Sequence, residues 1–409
     1  MRSTVDYGTL RLPNWGAVVR DEGPPPWLVV DERGALVEPV RRYLLDFSAR
    51  GNRAGSVRSY AYDLLRWWRW LVVREQPWAH ATSVDVRDYA LWLVGATKPS
   101  ARARTASAMT AGTVNAVTRK AYLDDHYQPR TVRHALAVLR SFYGFWAELS
   151  EGPVLNPVQL AATGRAHAHH NPMEPFGTAG RLRYSPPLPK RRPRTLSDEQ
   201  WCDLFGTLRS HRDRALLAMA VSNGGRASEL LGLRGVDVDW GEQLVRVTRK
   251  GTRDEQWLPA SAEAFVWLRL YLAEMGPVDP SDPIWLTLRR RDHGRGLAQQ
   301  PLTYEALRAV FRRANTALGT NWSMHDLRHT AALRMARDPN LTLRDVQVIL
   351  GHTDIDTTAS IYVFEEDVEV ARRVLDHLER RLIEAPQPPS PVKGYDPVDL
   401  AVLFGQDIR

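Results

Sequence analysis

A proline-rich and basic stretch in the middle of the chain most strongly limits the folds open to it. Six prolines lie between Pro172 and Pro193, counting both ends, and the segment PPLPKRRPR (residues 186–194) carries four basic residues. Because proline interrupts helices and the interior of sheets, residues 154–194 are predicted to form an extended linker. With 409 residues, the chain is also too long for one ordinary core. We therefore expect two domains joined by this linker.

The region before the linker, residues 36–153, has the pattern of a small all-helical domain. Apolar residues recur there at helical spacing. The predicted helices cover residues 36–49, 56–75, 83–93 and 128–149, with a weaker one at 113–123. We interpret their Trp and Tyr residues as core rather than as a surface on which bases stack. Residues 1–35, with a strand-like piece at 27–30, are predicted to be an appended arm.

Arginines are interspersed among the aromatic residues of these helices. They are Arg58, Arg66, Arg69, Arg130, Arg133 and Arg140. Two interpretations are open at this point. Either these arginines line the backbone of a nucleic acid, or they form the solvated face of a helical bundle.

Residues 195–383 are predicted to form a second, mostly helical domain with one small sheet. Alternating residues at 243–248 and 256–258 indicate a β-hairpin with Lys250 at its tip. Helical patterns surround the hairpin, at residues 212–221, 227–233, 261–274, 303–318 and 368–383. The tail that follows, residues 384–409, is rich in proline and carries an apolar patch at 400–404.

Two stretches of this second domain suit phosphate chemistry. Arg226 follows Gly224 and Gly225 and is expected at a helix N-terminus, where free amides and the helix dipole favour an anion. His325 and Arg328 are three residues apart, so on one helix they share a face and reach the same small anion.

A second helix is predicted to follow the one that carries His325 and Arg328. It begins at Thr342 as the N-cap and ends at Gly351, which fits the left-handed position after a last turn. His352 is therefore expected at a helix end, and Tyr362 follows ten residues later. Basic groups that converge with one tyrosine indicate phosphate chemistry.

The composition favours a polyanionic partner, because the net charge is +8 and the pI is about 9.7. A single cysteine, Cys202, excludes an internal disulfide framework and a Cys-rich zinc site, so we expect a reducing, cytoplasmic setting. No apolar run approaches the roughly 20 residues that span a membrane, and the first residues, MRSTVDYGTL, lack a signal-peptide core. Lysine is rare among the 55 basic residues, and its positions are Lys98, Lys120, Lys190, Lys250 and Lys393.

Four motifs in this order resemble those of the tyrosine recombinase, or phage integrase, family. They are GGRASELLGL (224–233), VTRKGTRDEQWLP (247–259), HDLRHT (325–330) and LGHTDIDTTASIY (350–362). Each is weak alone, whereas four at suitable spacings are a strong signal. The resemblance covers residues 36–385. It implies a mainly α fold with a small β-sheet, in which a helical, SAM-like core-binding domain and an α+β catalytic domain form a C-shaped clamp.

The resemblance also implies a site and a reaction. The site residues are Arg226, Lys250, His325, Arg328, His352 and Tyr362. The reaction is site-specific DNA recombination through a 3′-phosphotyrosyl intermediate, without a metal, another cofactor or ATP. Glu229 matches an acidic position of the family, and two readings stay open for it: it orients the basic residues, or it is an ordinary first-turn helix acid. His329 is expected to point to another face and to be structural.

The expected partner is double-stranded DNA with specific recombination sites, bound by a homotetramer that holds two duplexes. We expect no membrane association and a DNA-associated place in the cytoplasm, the bacterial nucleoid, in the service of a mobile genetic element. The apolar tail either packs on a neighbouring subunit or folds back. Two other functions share the chemistry or the fold: a type IB topoisomerase-like enzyme that needs no partner protomer, and a catalytically silent DNA-binding protein.

Overall fold

The chain divides into two compact units, each with its own core. A computed structural model describes residues 10–99, 110–161, 181–188, 194–249, 253–276, 279–292 and 296–351. The helical unit comprises residues 1–115 and 119–191, and the mixed unit comprises residues 116–118 and 192–409. The division near residue 192 falls inside the stretch predicted to be a linker. In the described ranges, no helix is both long and apolar enough to cross a membrane.

The helical unit consists of an N-terminal hairpin and a set of helices. Its elements are β1 (Ala17–Arg20), β2 (Trp27–Val30), α1 (Glu38–Ala49), α2 (Ala54–Val73), α3 (Ser83–Gly95) and α4 (Pro129–Glu148). Local signals set the helix starts: Thr82 and Asp85 form a reciprocal capping box at α3, and Pro129 occupies the first position of α4. The helices predicted at 36–49, 56–75, 83–93 and 128–149 are confirmed.

Aromatic side chains of α2, α3 and α4 form the centre of this core. Trp67 and Trp70 of α2 are fully buried, as are Tyr89 of α3 and Tyr143 of α4. Trp67 donates its indole N–H to the Tyr143 hydroxyl at 2.9 Å, so the polar ends of these two rings are paired inside the core. The interpretation of these aromatic residues as core is confirmed.

Several of the interspersed arginines support the helical unit from within. Arg69 donates to the carbonyl oxygens of Trp15 at 2.6 Å and Gly16 at 2.9 Å, which ties the segment before β1 to α2. Arg133 and Arg140 of α4 donate in the same way to carbonyls of residues 186 and 158. Four of the six arginines, Arg66 with its Asp63 ion pair included, therefore form internal contacts. These four are therefore not a freely solvated face, and the interpretation in which the arginines line a nucleic acid stays a prediction.

The helix predicted at residues 113–123 is wrong. The stretch is a narrow turn of extended backbone, in which Val114 and Ala121 form a β-bridge and the Asn115 N–H donates to the Lys120 carbonyl at 2.9 Å. Gly112 precedes it with a φ of 72°, a left-handed conformation that helices do not continue. Several β-branched residues in the stretch also favour extended backbone.

The mixed unit combines helices with a small antiparallel sheet. Its elements are α5 (Asp198–Gly206), α6 (His211–Asn223), α7 (Ala227–Leu230), β3 (Val238–Asp239), β4 (Leu244–Thr248), β5 (Glu255–Pro259), α8 (Ala262–Met275), β6 (Arg291–Asp292), β7 (Leu297–Ala298), α9 (Tyr304–Leu318), α10 (Met324–Arg337) and α11 (Leu343–Leu350). Strands β3, β4 and β5 form one sheet in that order. The predicted hairpin strands and the helices predicted before residue 351 are present. The helix predicted at 368–383 lies outside the described residues.

Helix α6 is the centre of the mixed unit and positions the site. Leu216, Leu217 and Met219 of this helix are fully buried, and α6 packs against α8 and α10. A helix that is buried on all sides is held rigidly. The residues that follow its C-terminus are therefore presented at a defined place in the unit.

Candidate active site

Arg226 is placed by the end of α6 and the start of α7. Gly224 ends α6 in the left-handed conformation, with a φ of 66°, and a Cβ atom there would come within 2.7 Å of Leu350 Cδ2. The buried Asn223 side chain accepts the Gly225 N–H at 2.9 Å. Arg226 is then the N-cap of α7 in extended conformation, as the sequence predicts. Its side chain is 29% exposed, so the guanidinium is fixed at its base and open at its end.

Glu229 orients Arg226. Its carboxylate, 1% exposed, accepts the Arg226 backbone N–H at 3.0 Å and one terminal guanidinium N–H at 2.9 Å. A third contact to this carboxylate comes from the guanidinium of Arg249, at 3.1 Å. Glu229 is therefore both a first-turn helix acid and a group that holds basic side chains, so the two readings of the sequence apply together.

Helix α10 supplies His325 and Arg328, one turn apart. Arg328 is buried and donates to the carbonyl oxygens of Gly224 at 2.6 Å and Leu350 at 2.7 Å. His325 is exposed in the first turn of α10. The His329 ring lies 4.2 Å from the His325 ring, edge to face, so His329 contacts a predicted site residue, while its structural role stays a prediction. The cause of this contact is the helical repeat, since residues four apart are neighbours on one face.

The electrostatics of this cluster favour an anion. Burial, together with the nearby Arg226 cation, lowers the pKa of Arg328 to about 10. Arg328 is still positively charged at neutral pH, but its charge is poorly solvated, which an anion would relieve. Burial also lowers the pKa of Arg249. The guanidinium groups of Arg226, Arg249 and Arg328 thus lie around Glu229, which forms ion pairs with Arg226 and Arg249.

Arg226, His325 and Arg328 line one cavity of about 460 Å³. Gly225, Ala227, Ser228, Tyr304 and Met324 complete its lining. A tetrahedral phosphate group with its flanking sugars is of a size to enter such a cavity. The structure therefore brings together three of the six residues predicted for the site. Among the described residues, no group of three or more His, Cys, Asp or Glu side chains is arranged to bind a metal.

The other three predicted site residues, Lys250, His352 and Tyr362, lie outside the described residues. The backbone that leads to two of them is described. Strand β4 ends at Thr248, just before Arg249 and Lys250. Helix α11 begins with the predicted cap, a reciprocal capping box of Thr342 and Asp345, and ends at Gly351 with a φ of 62°.

Sequence reasoning missed Arg249, which lies at the centre of this cluster. It is 5% exposed and donates to Glu229, Gln256 and the carbonyl of Ile349. The signal that could have found it was strand parity. Val245 and Val247 face the core from β4, and alternation carries Arg249 to the same inward side. An arginine at an inward position requires buried acceptors.

Comparisons with known proteins agree with the motifs. The sequence profile of the phage integrase family matches residues 194–368, and that of the phage integrase N-terminal SAM-like domain matches residues 40–120. Tyrosine recombinase XerD of Xanthomonas axonopodis pv. citri is 30% identical over 271 residues, covering 62% of this chain and 76% of the relative. Transposase A from transposon Tn554 of Staphylococcus aureus is 24% identical over 377 residues, covering 89% of this chain and 97% of the relative.

A solved structure shares the fold. The Tn1549 transposon integrase in complex with circular intermediate DNA has a TM-score of 0.51 and 14% sequence identity to this chain, covering 82% of this chain and 98% of that one. At that identity the likeness concerns the fold alone.

Proposed function

This chain belongs to the phage integrase family and is a tyrosine recombinase, and we propose that six of its residues carry out site-specific DNA recombination. They are Arg226, Lys250, His325, Arg328, His352 and Tyr362. Their substrate is one phosphodiester in each strand of a specific double-stranded DNA site. Transesterification keeps the energy of the broken bond in the protein–DNA linkage, so the reaction needs no ATP, and no metal or other cofactor takes part.

The phosphate is held by the two arginines. A phosphodiester is anionic, and its nonbridging oxygens gain charge in the transition state. Guanidinium groups are planar and permanently charged, so they bind such oxygens in pairs. Arg328 has two donors committed to carbonyl oxygens, which orients the rest of its guanidinium. Arg226 is similarly held by Glu229. This pre-orientation makes the pair effective, because nothing has to reorganise as the charge develops.

The covalent step uses Tyr362 as nucleophile. Tyrosine hydroxyls in general have a pKa near 10 and need a base to act as nucleophiles at neutral pH, a role for which His325 at the cavity edge is suited. The tyrosine oxygen bonds to phosphorus, the bond from phosphorus to the 5′ oxygen breaks, and a 3′-phosphotyrosyl linkage results. Lys250 gives its proton to the leaving 5′ oxygen, since an ordinary arginine is too basic for this role and both terminal nitrogens of Arg328 already donate to carbonyl oxygens. His352 hydrogen-bonds a phosphate oxygen. Attack by a 5′ hydroxyl of the partner strand reverses these steps and rejoins the DNA.

The observation that carries this proposal is the shared cavity of Arg226, His325 and Arg328. The three residues come from two motifs about a hundred positions apart in the chain, yet their side chains face one space. Carbonyl oxygens hold Arg328 and Glu229 holds Arg226, so both arginines line the cavity in fixed positions.

Covalent capture tests the proposal. The wild-type protein is incubated with fragmented DNA from its source, denatured in detergent, and the attached DNA is sequenced to define the site. A duplex of that site, nicked so that the short leaving strand diffuses away, should then give a covalent protein–DNA band. Tyr362→Phe should give none, whereas Tyr304→Phe, which alters another tyrosine of the cavity, should still give the band. An adduct with Tyr362→Phe, or none with the wild type, would refute the assignment.

The remaining parts of the chain have roles in this proposal. Residues 36–153 bind the DNA core together with the catalytic region, residues 195–383, and residues 154–194 form the basic connection. Residues 1–35 form an arm. The active assembly is a homotetramer on two duplexes, in which the tail at 384–409 packs on a neighbouring subunit. The protein is DNA-associated, at the nucleoid of a bacterial cytoplasm. The net charge of +8 and the similarity to a transposon protein support DNA binding and a role in a mobile element.

A further inference from the structure

Arg249 is held from three elements at once. Its Nε donates to Gln256 Oε1 on β5 at 2.7 Å, and one terminal nitrogen donates to Glu229 on α7 at 3.1 Å. The other terminal nitrogen donates to the carbonyl of Ile349 on α11. Burying a guanidinium is costly unless its donors find acceptors, and here acceptors from β5, α7 and α11 converge on it.

The backbone of Arg249 is hydrogen-bonded to the described residues that follow Lys250 in the chain. The Arg249 N–H donates to the Asp254 carbonyl at 2.8 Å, and the Arg249 carbonyl accepts the Arg253 N–H at 3.2 Å. Lys250 is the next residue in the chain. The residue directly before Lys250 therefore has both its backbone and its side chain fixed by hydrogen bonds.

Glu229 connects Arg249 to the phosphate clamp. One carboxylate oxygen accepts the guanidinium of Arg226 at 2.9 Å, and the other accepts that of Arg249 at 3.1 Å. The carboxylate is 1% exposed, so water does not compete for it. Glu229 therefore fixes the positions of both Arg226 and Arg249.

We propose that Arg249 is a positioning residue for Lys250. By binding the carboxylate of Glu229, which also orients Arg226, it fixes the start of the segment that carries the proton donor. The inference rests on the proposed role of Lys250 as the general acid. Arg249 itself does not line the cavity that Arg226, His325 and Arg328 share. Lysine cannot replace it, since an ammonium is one point charge and cannot extend donors toward α7, β5 and α11 together.

A change of leaving group tests this role. Two nicked duplexes of the captured site are compared, one with the natural 5′ oxygen at the scissile bond and one with sulfur there. A thiol has a pKa of about 8.5 and leaves as thiolate without a proton donor. Variants that impair proton donation should therefore be slow on oxygen and much less impaired on sulfur.

Arg249→Met and Arg249→Lys should slow cleavage of the oxygen-linked DNA on the order of 100-fold, and sulfur should restore about tenfold or more of that loss. Gln256→Ala, which removes one contact of Arg249, should show the same pattern with a smaller loss. The matched control is Arg246→Met on the same strand. Its ion pairs with Asp237 and Glu255 involve none of the proposed site residues, so both rates should stay within about threefold of the wild type.

Two reference variants separate failure of the inference from failure of the proposed function. Lys250→Ala should be rescued by sulfur, and Tyr362→Phe should form no adduct with either DNA. If these hold but the Arg249 variants lose equal activity on both substrates, Arg249 does not position the acid. If Lys250→Ala is not rescued, the role proposed for Lys250 is itself wrong. If Arg249→Met no longer unfolds cooperatively on heating, the test rests on Arg249→Lys and Gln256→Ala. For these variants the ratio of cleavage rates on sulfur-linked and oxygen-linked DNA is compared with that of the wild type.

Discussion

Two requirements meet at Gly351, the residue that ends α11. Its φ of 62° is a conformation that costs an L-residue about 1 kcal/mol or more, and a Cβ atom there would lie 2.9 Å from Arg249 Nε. Gly319 ends α9 with a φ of 64°, but nothing lies within 4 Å of its Cβ position. The two glycines therefore share the backbone requirement and differ in the steric one.

Alanine substitution should separate these requirements. Gly319→Ala should lower the free energy of unfolding by about 1 kcal/mol and leave DNA cleavage unchanged. Gly351→Ala should lower it by about 2 kcal/mol or more, because strain and a clash add, and should slow cleavage because Arg249 moves. Urea unfolding and the covalent-adduct assay measure both effects. Equal losses for the two variants would show that the contact with Arg249 does not constrain this site.

Individual residues also show what a sequence can and cannot predict about the site. Arg226 was predictable, because two glycines and the start of a helix are local signals. The contacts of Arg328 were not, since its carbonyl partners Gly224 and Leu350 lie 104 and 22 residues away. Only the packing of α6, α10 and α11 brings them together. These distant carbonyls therefore determine which N–H groups of Arg328 remain available to a phosphate.

At the scale of elements, an ion pair joins helices α2 and α4 in addition to the hydrogen bond between Trp67 and Tyr143. Asp63 of α2 is 5% exposed and binds His134 of α4 at 2.7 Å, while Arg66 binds the other carboxylate oxygen at 2.6 Å. The Tyr60 ring lies 5.7 Å from the His134 ring. The hydrogen bond to Asp63 raises the pKa of His134 above its usual value, against the opposing effects of burial and of Arg66.

The stability of this helix pair should depend on pH. Because the folded-state pKa of His134 is raised, its contribution is fully present below the unfolded pKa of about 6.5 and is lost as pH rises through the folded value. The difference in free energy of unfolding between wild type and His134→Gln should therefore be larger near pH 6 than near pH 8. Urea titrations at the two pH values measure it. A difference that is constant, or larger near pH 8, would mean that the ion pair does not stabilise the fold.

Elements differed in how well their sequences predicted them. Helices such as α2 and α4 were predictable because long apolar periodicity coincides with starting signals such as Pro129. The stretch at 113–123 was not, because a short run of apolar residues is equally compatible with a helix and with the extended turn that Val114 and Ala121 form. Over so few residues, the hydrogen bonds of Asn115 outweigh the spacing of the apolar residues.

At the scale of the whole molecule, the proposed tetramer assigns different functions to the site and the tail. A chain ending at residue 385 keeps every proposed site residue and both cores, and it lacks the apolar patch at 400–404. Its affinity for a single site should stay within about threefold of the wild type, while assembly of two duplexes into one complex should fall sharply. Sedimentation and native gels with the captured site measure both. Unchanged assembly would exclude the tail from the subunit interface.

The contacts of Arg328 also have a consequence for protein engineering. Its two carbonyl acceptors lie at the C-terminal ends of α6 and α11, and each added helical residue turns the end of a helix by about 100°. Inserting one residue into either helix would thus turn an acceptor away from Arg328 without altering any side chain of the site. Insertions and epitope tags belong instead at positions such as Gly276 and Gly296, where a Cβ atom would meet no other atom within 4 Å. In this enzyme, helix length is as much a determinant of catalysis as residue identity.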